Sequence, residues 1–247
     1  MKIISWNINH WQRKHLHQEL WDYIDRELNP DIALLQEVYP FSEKTGFLGE
    51  STRAQQLSKA DTYIWRDIDA VRKWGSGVFT KNIPIREVEI KTAYKGALTV
   101  AEVKVNNRII TVISLYGILE QGYSITTLHR MFSDLTFLLE GMSGNNRSII
   151  LAGDFNASLQ FDEQQKGNSH RILFERIQNF GLVDVFPYNK ANPVQTWRKE
   201  NVKTKWQLDH FFVSEDLVGK IVKAEVLFDA NIERLSDHNP MLVEIQL

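Results

Sequence analysis

The apolar residues of this chain fall into short unbroken runs and into longer stretches with helical spacing. Short apolar runs bounded by polar or turn residues are typical of buried β-strands. The strands predicted in this way are KIISWNI, DIALLQEV, GSGVFTK, ALTVAEVKV, RIITVISLYG, SIILAGDFN, QLDHFFVS, KAEVLF and MLVEIQL. The dipeptide Asn106-Asn107 separates ALTVAEVKV from RIITVISLYG and predicts a hairpin between these two strands.

Helical spacing of apolar residues predicts helices between some of these strands. The segment HLHQELWDYIDREL should form a helix that ends at Asn29-Pro30, and SITTLHRMFSDLTFLLEGM should form one that ends at Gly141. A further helix is predicted for SHRILFERIQNFG, with Ser169 as its N-cap. Each half of the chain thus combines strands with helices, and the hairpins mix strand directions. We therefore predict an α/β fold in which two mixed sheets are flanked by helices.

The composition is that of an ordinary globular protein, with 43% hydrophobic and 24% charged residues. No repeat, low-complexity tract or linker divides the chain, so we expect residues 1–247 to form a single domain and the protein to be a monomer. No apolar run is long enough to span a bilayer, which argues against a membrane partner. The start MKIISWNINHW lacks a signal-peptide pattern, and the absence of cysteine excludes disulfides, thiolate zinc sites and a cysteine nucleophile. A reducing cytoplasm is the simplest location, although a chain without cysteine also suits export.

The net charge of −2 argues against non-specific coating of nucleic acid, because that affinity depends on many Lys and Arg contacts with phosphates. A polyanion would have to meet a local basic patch, and WRKENVKTKW is one candidate. Its basic residues outnumber the single acidic Glu200, and they are Arg198, Lys199, Lys203 and Lys205. This segment is either a nucleic-acid contact or a solvated hairpin loop. The same two interpretations apply to Arg72 and Lys73 in VRKWGSG.

Polar residues stand at the ends of several predicted strands. They are Asn7, Glu37, Tyr116, Asp154, Asn156, Asp209 and the pair Asp237-His238. Because the ends of neighbouring strands lie together in a layered sheet, these side chains can converge on one edge. A charged residue at the tip of an apolar strand is unfavourable unless it is paired or bound to a metal. An isolated Asp154-x-Asn156 would suggest only an Asx turn, but the whole set favours a functional site.

The same residues limit the possible chemistry. Glu37, with Asp154 or Asp237 and asparagine amide oxygens, forms an all-oxygen set of the kind that Mg²⁺ or Mn²⁺ prefers. One histidine beside aspartates offers too little nitrogen for a typical zinc site. The sequence has no Gly-x-Ser-x-Gly elbow, Walker A loop or Gly-x-Gly-x-x-Gly loop. What remains is metal-assisted attack of water on a phosphate ester.

The segments SWNI, LLQEV, GSGVFTK, GDFNA, LDHFFVS and SDHNP occur in this order between Ile3 and Ile245, which is nearly the whole chain. In this order they resemble the endonuclease/exonuclease/phosphatase superfamily, which has the fold of DNase I and exonuclease III. The resemblance implies a four-layer α/β sandwich of two mixed β-sheets flanked by helices. It also implies that Glu37 is the principal metal ligand, with Asn7 beside it and Asp237 near the metal.

The resemblance implies roles for the remaining strand-end residues as well. Asp154 and Asn156 would position and activate the attacking water and hold the phosphate. His238 would face the phosphate and be oriented by Asp209. Whether Asp154 or the Asp209–His238 pair takes the proton of the water is left open. Tyr116 is either a phosphate contact or a packing residue, because the segment SLYGILEQG departs from the Asn-x-Tyr-x-Pro-Asn pattern of abasic-site enzymes.

Two of the tryptophans, Trp6 and Trp197, are expected in the core. Trp206 resembles the tryptophan that lines the nucleotide pocket of abasic endonucleases, but Gln207 replaces their usual arginine. The histidines other than His238 show no paired spacing typical of a metal site and are expected to be surface or packing residues.

The superfamily acts on several phosphoesters, and the fold alone does not choose among them. The basic segment and Trp206 favour a nucleic-acid strand met by charge and stacking, with Arg198, Lys199 and Trp206 as substrate contacts. Our first hypothesis is a Mg²⁺-dependent endo- or exonuclease. The alternative is a phosphomonoesterase or a lipid or small-molecule phosphodiesterase of the same fold.

Overall fold

The computed structural model describes residues 1–39, 63–69, 73–141, 147–199 and 201–247. These residues form two six-stranded β-sheets. The strands of the first sheet are β1 (Lys2–Asn7), β2 (Ile32–Val38), β3 (Tyr63–Asp67), β4 (Gly75–Thr80), β11 (Ile221–Val226) and β12 (Met241–Ile245). Those of the second are β5 (Ile85–Glu87), β6 (Leu98–Val105), β7 (Arg108–Tyr116), β8 (Arg147–Asp154), β9 (Leu182–Asp184) and β10 (Asp209–Ser214).

The helices lie outside the two sheets. The first begins as a 3₁₀ turn (Lys14–Leu16), continues as α1 (His17–Asp22) and ends in π-helical geometry (Tyr23–Leu28). The others in the described ranges are α2 (Ile125–Glu140), α3 (Leu159–Gln165), α4 (Ser169–Asn179), α5 (Glu215–Val218) and α6 (Ala230–Leu235). Among the described residues, no helix is long and apolar enough to cross a membrane.

Both sheets are mixed, which confirms the predicted sheet type. Their spatial orders are β11-β12-β1-β2-β4-β3 and β5-β6-β7-β8-β10-β9. Strand β1 is parallel to β2 and β7 is parallel to β8, whereas the other pairs are antiparallel. The hairpin predicted at Asn106-Asn107 is confirmed, because Asn106 has a φ of 54° and joins β6 to β7.

Alternate residues of the central strands bury both faces of each sheet, which produces four layers. Leu34 of β2 packs between the sheets with Val112 of β7. The next residue, Leu35, points outward and packs with Trp21 of α1. On the outer side of the second sheet, Phe132 of α2 covers the opposite face of β7 and β8. This arrangement confirms the predicted α/β sandwich with helices on both sides.

The start of α4 differs from the prediction. Asn168 occupies the N-cap position and Ser169 is the first helical residue, without a side-chain cap from Asn168. The carboxylate of Asp162 accepts the backbone N–H groups of His170 at 3.1 Å and of Arg171 at 2.7 Å instead. The prediction that Ser169 caps this helix is therefore wrong, because a carboxylate from the preceding helix satisfies its free N–H groups.

A glycine precedes the polar end of β8. A side chain at Gly153 would clash with the carbonyl oxygen of Leu115 on the neighbouring β7. Only glycine allows the two parallel strands to approach this closely just before Asp154. The close approach holds Asp154 beside Tyr116, with which it is paired in the strand register.

Candidate active site

Strand ends from both sheets meet on one side of the molecule. Asn7 is the last residue of β1, and Glu37 lies at the end of β2 in the same sheet. In the second sheet Asp154 ends β8, with Tyr116 of β7 opposite it on one side and Asp209 of β10 on the other. The sandwich thus brings together polar residues that are far apart in the sequence.

The buried side chain of Asn7 joins the two sheets. Its Nδ2 donates to Glu37 Oε1 at 3.1 Å and to Asp154 Oδ2 at 2.9 Å. Its Oδ1 accepts the backbone N–H of Asn9 at 2.9 Å. The amide nitrogen of Asn7 thus bridges the carboxylates of Glu37 and Asp154. Its amide oxygen is occupied by the hydrogen bond from the Asn9 backbone.

Asp209 and His238 form a second buried chain of contacts, which reaches the carboxylate of Asp154. His238 Nδ1 lies 2.8 Å from Asp209 Oδ2, and His238 Nε2 lies 3.8 Å from Asp154 Oδ2. Burial alone would lower the pKa of His238, but the carboxylates of Asp209 and Asp154 outweigh it and raise that pKa above its ordinary value. Its position between two carboxylates therefore favours the protonated form of His238.

Burial raises the pKa values of the two carboxyl groups that Asn7 contacts. For Asp154 the neighbouring charge of His238 opposes this change, and for Glu37 the N–H of Asn7 opposes it. Burial, followed by the nearby charges of Glu37 and Asp154, also raises the pKa of Tyr116, so its phenol stays protonated. The ring of Tyr116 packs edge-on against Trp74 at 4.9 Å between centroids, so the residue has a packing contact as well as a place at the site.

The segment after Asp154 contains the turn that its spacing suggested. The backbone N–H of Asn156 donates to Asp154 Oδ1 at 2.8 Å, and Asn156 has a φ of 48°. The amide Nδ2 of Asn156 donates to the carbonyl of Gly117 at 3.0 Å. The turn uses one oxygen of Asp154, and the other oxygen faces Asn7 and His238.

Residues for which the sequence predicted no role at the site hold the acidic side chains in place. Trp11 Nε1 donates to Glu37 Oε2 at 2.7 Å. Asn9 Nδ2 donates to Asp237 Oδ1 at 2.7 Å, and Trp197 Nε1 lies 3.2 Å from Asp237 Oδ2. Trp197 is half-buried and lines the cleft beside Asp237. The expectation that it belongs to the core is therefore wrong. Trp6, by contrast, is fully buried, as expected.

These residues line a cleft of about 640 Å³. Its described lining includes Glu37, Tyr116, Asp154, Asn156, Asp237 and His238, together with Trp206. The ring of Trp206 stacks on Phe161 with centroids 4.7 Å apart. Among the lysines and arginines of the described ranges, Lys199 is the one that lines this cleft.

The structure does not bring the other basic residues of the 198–205 segment to the cleft. The guanidinium of Arg198 donates to the carbonyl of Ser236 at 2.6 Å, on the inner side of the segment. Lys203 is exposed, and Lys205 borders a different cleft beside Phe228. Lys73 is exposed, whereas Glu200 and Arg72 lie outside the described residues.

The oxygen atoms of this site fit a hard divalent cation. Glu37 and Asp237 present carboxylates whose charges repel each other, an interaction that adds to the raised pKa of Glu37 and that a cation would relieve. Asp154, Asp209 and His238 also lie close enough for one ion, with ligand atoms within 4.8 Å of one another. In that second group, however, His238 already contacts both Asp154 and Asp209, so we infer that Glu37 and Asp237 are the better candidates for cation ligands.

The sequence matches the Endonuclease/Exonuclease/phosphatase family over residues 4–238. The chain belongs to this family. Solved structures with the same fold include the AP endonuclease LMAP from Leishmania major, with 20% identity and a TM-score of 0.71 over all of this chain and 87% of that one. The 3′-5′ exonuclease NExo from Neisseria meningitidis has 18% identity and a TM-score of 0.70, and an AP endonuclease from Archaeoglobus fulgidus has 18% identity and a TM-score of 0.68.

Both of the last two matches cover 100% of each chain. At these identities the likeness establishes the four-layer fold of the family for this chain. No curated protein matches the sequence.

Proposed function

We propose that this family member is a divalent-metal-dependent hydrolase that cleaves a phosphodiester of a nucleic acid with an activated water. The observation that carries this proposal is the buried chain of contacts from Glu37 through Asn7 and Asp154 to His238 and Asp209. This chain of contacts supports a site in which the carboxylates of Glu37 and Asp154 and the imidazole of His238 act on one phosphate. Metal-assisted hydrolysis of a phosphate ester uses this combination of a cation site, a proton acceptor and a hydrogen-bond donor.

Glu37 and Asp237 would hold the metal, which is Mg²⁺ or Mn²⁺ in view of the all-oxygen ligand set. When bound, such an ion neutralises phosphate charge and stabilises the leaving oxygen. Asn7 would hold Glu37 and Asp154 at a fixed separation, because its amide nitrogen donates to both. Trp11 and Asn9 would orient the two ligands through their own N–H groups.

Asp154 is the best candidate for the base that accepts the proton of the attacking water. The carboxylates of Asp209 and Asp154 raise the pKa of His238, which favours a proton-donor role for His238 over the role of base. Its Nε2–H would instead donate to a phosphate oxygen. The protonated phenol of Tyr116 and the amide of Asn156 would supply further contacts to the phosphate.

A nucleic acid is the substrate that the cleft supports best. Lys199 lies where it can meet a backbone phosphate, and Trp206 offers an aromatic face next to the catalytic residues. Among the proteins of similar structure, two are described as AP endonucleases, and the neisserial NExo is described as bound to a product DNA hairpin.

A phosphomonoester at a nucleic-acid end is a second candidate. The neisserial NExo is described both as a 3′-5′ exonuclease and as a 3′ phosphatase bound to a product DNA hairpin. In this protein both reactions would use the same proposed metal, base and phosphate contacts. Comparison of oligonucleotides with a 3′ phosphate and with a 3′ hydroxyl would separate them.

The proposal includes a single domain, a monomeric state and a cytoplasmic location for the protein. The family match over residues 4–238 supports a single domain, and the absence of cysteine fits a reducing cytoplasm. Size-exclusion chromatography with light scattering would measure the oligomeric state directly.

Metal removal tests the proposed function. Hydrolysis of a chromogenic phosphodiester and of labelled oligonucleotides should disappear in EDTA and return when excess Mg²⁺ or Mn²⁺ is added. Isothermal titration of the metal into the metal-free protein should show binding that Glu37→Gln weakens. Full turnover by protein whose metal content is verified as nil would contradict the metal-dependent mechanism.

A further inference from the structure

Two exposed aromatic side chains, Trp11 and Tyr123, line the cleft beside the proposed catalytic residues. Their relative exposures are 40% and 55%, which is high for rings of this size in a folded protein. Exposed apolar surface beside a catalytic site indicates a binding surface more often than a defect.

The ring of Trp11 is fixed in its position. Its indole N–H donates to Glu37 Oε2 at 2.7 Å. The backbone around it is fixed as well, because the N–H groups of Gln12 and Arg13 both donate to the carbonyl of Asn9. The edge of the indole is thus attached to the proposed metal ligand, while part of its surface stays open to the cleft.

Tyr123 lies on a rigid turn. Glu120 and Tyr123 exchange backbone hydrogen bonds at 2.9 and 3.1 Å around Gln121 and Gly122. These two central residues have φ values of 53° and 86°, which is the tight hairpin geometry with positive φ at both positions. The residue after the turn, Ser124, donates its hydroxyl to the carbonyl of Asn156 at 2.8 Å. The turn is therefore tied to the loop that contains Asn156, and the exposed ring of Tyr123 projects from it.

The described lining of the cleft is poor in lysine and arginine side chains. Lys199 is its one lysine or arginine within the described ranges, whereas aromatic and aliphatic side chains are numerous. These apolar residues are Trp11, Leu119, Tyr123, Phe161, Trp197, Val202, Trp206 and Leu208. Binding of a duplex depends chiefly on many cationic contacts with phosphates, and its base faces are covered by neighbouring bases. An unpaired strand exposes base faces that aromatic rings can stack on.

We propose that the cleft selects an unpaired nucleic-acid strand, with bases on either side of the reacting phosphate stacked on Trp11 and Tyr123. The proposal rests on the proposed function, because it concerns the substrate of the same site. The Trp11 ring and the backbone turn that carries Tyr123 are held in place before binding, so a stacked base orders less of the protein than it would on an unordered segment. The strand therefore gains affinity from stacking rather than from charge.

Direct binding measurements in EDTA test this proposal without turnover. A short oligothymidylate should quench tryptophan fluorescence and bind more tightly than a blunt-ended duplex of the same length. Trp11→Leu and Tyr123→Leu should each weaken binding of the oligothymidylate by about 5- to 150-fold, which corresponds to the loss of one base–aromatic stack. Binding of the duplex should change little in both variants.

Two further variants separate stacking from other effects. Trp11→Phe removes the N–H that contacts Glu37 but keeps an aromatic face, so it should retain most of the affinity for oligothymidylate. Phe228→Leu is a matched control, because Phe228 is 57% exposed and lies outside this cleft. It should leave binding unchanged, and thermal unfolding should show that all four variants are folded.

The outcomes distinguish this inference from the proposed function. Equal or tighter binding of the duplex, or unchanged oligothymidylate binding in both leucine variants, would overturn the selection of an unpaired strand. If the chromogenic phosphodiester is still hydrolysed in that case, the proposed hydrolase activity stands. If no phosphoester is hydrolysed but stacking-dependent binding is found, the proposed function fails and the binding inference stands.

Discussion

Asp154 shows how a single carboxylate serves both the fold and the site. Its Oδ1 closes a turn by accepting the N–H of Asn156, and its Oδ2 accepts the amide of Asn7 near His238. These hydrogen bonds to both oxygens restrict the rotation of the Asp154 side chain. The proposed role of Asp154 as the base for a water molecule would benefit from such rigidity, since misplacement by about 1 Å can cost about 10²-fold in rate.

Substitution of individual site residues should separate chemistry from folding. We expect Glu37→Gln, Asp154→Asn and His238→Ala each to lower kcat by about 10²–10⁴-fold, the usual contribution of one positioned acid–base or charged group. The measurement is turnover of a small phosphodiester at saturating Mg²⁺, with thermal unfolding as a check of the fold. Glu175→Gln is a suitable control, because Glu175 is an exposed carboxylate on α4. Near-normal turnover in any of the three site variants would remove that residue from the mechanism.

At the level of residues, the sequence supplied the charged members of the site but not their partners. Glu37, Asp154 and His238 stand in short motifs that resemble a known family. Asn9 and Trp11 carry no motif, and their contacts with Asp237 and Glu37 arise only when distant segments fold together. Asn9 offered a weak signal, because it lies two residues after Asn7.

The segment of residues 195–198 is the element that holds the two halves of the site together. The N–H of Trp197 donates to the carbonyl of Trp206, and the N–H of Asn239 donates to the carbonyl of Thr196. The hydroxyl of Thr196 accepts the N–H groups of Leu208 at 2.9 Å and Asp209 at 3.0 Å. Thr196 thus fixes the start of β10, where Asp209 orients His238.

This arrangement predicts a positioning role for the Thr196 hydroxyl. Thr196→Val keeps the shape but leaves two buried N–H groups without an acceptor, so it should destabilise the protein by about 1–3 kcal/mol for each group. Turnover should fall as well, because Asp209 loses its fixed position. Thr196→Ser should restore both properties, and urea denaturation with steady-state kinetics measures them. A valine variant as active and stable as the parent protein would show that the hydroxyl is dispensable.

The first helix gives a prediction about acid stability. Burial, followed by the neighbouring His10 and Lys14, lowers the pKa of His17 from 6.5 to about 3. Unfolding restores the ordinary pKa, so below about pH 6.5 the unfolded chain binds a proton that the folded protein excludes. The free energy of unfolding should therefore fall by about 1.4 kcal/mol per pH unit as the pH decreases from 6.5 towards 3.

Substitution of His17 tests this origin of the acid sensitivity. His17→Gln keeps an acceptor for the indole N–H of Trp21, which His17 Nε2 accepts at 3.1 Å, but it cannot titrate. The variant should lose less stability in acid than the parent protein in urea denaturation series at several pH values. His15→Gln, at an exposed position of the preceding 3₁₀ turn, should keep the acid sensitivity of the parent. An identical pH dependence in His17→Gln and the parent would exclude His17 as the cause.

The long periodic elements could be predicted from the sequence, whereas the short ones could not. The helix Ile125–Glu140 and strand Arg108–Tyr116 each present a repeated apolar pattern, and both predictions are confirmed. Strands Ile85–Glu87 and Leu182–Asp184 contain three residues each, which is too short for any period to be visible. They form because neighbouring strands offer backbone hydrogen bonds, and this information lies outside the segments themselves.

On the scale of the whole molecule, the basic residues of the 198–205 segment lie differently around the cleft from what the sequence suggested. The four basic residues of the 198–205 segment suggested up to four contacts with phosphates. In the folded protein Lys199 alone among them lines the described part of the cleft, and Arg198 is turned towards carbonyl groups of the protein. A net charge of −2 adds no general attraction for a polyanion. Salt should therefore affect binding weakly.

This asymmetry between two adjacent basic residues can be measured. In a plot of log affinity for oligothymidylate against log salt concentration, Lys199→Gln should reduce the slope by about 0.7, the value for one phosphate contact with a single strand. Arg198→Gln should leave the slope unchanged, since its guanidinium donates to the carbonyls of Ser236 at 2.6 Å and Ile232 at 3.5 Å. It should instead lower thermal stability, because those buried acceptors lose a charged donor. If Arg198→Gln flattens the slope as much as Lys199→Gln does, the Arg198 side chain must reach the phosphates, and the strand must follow a path over the outer side of this segment.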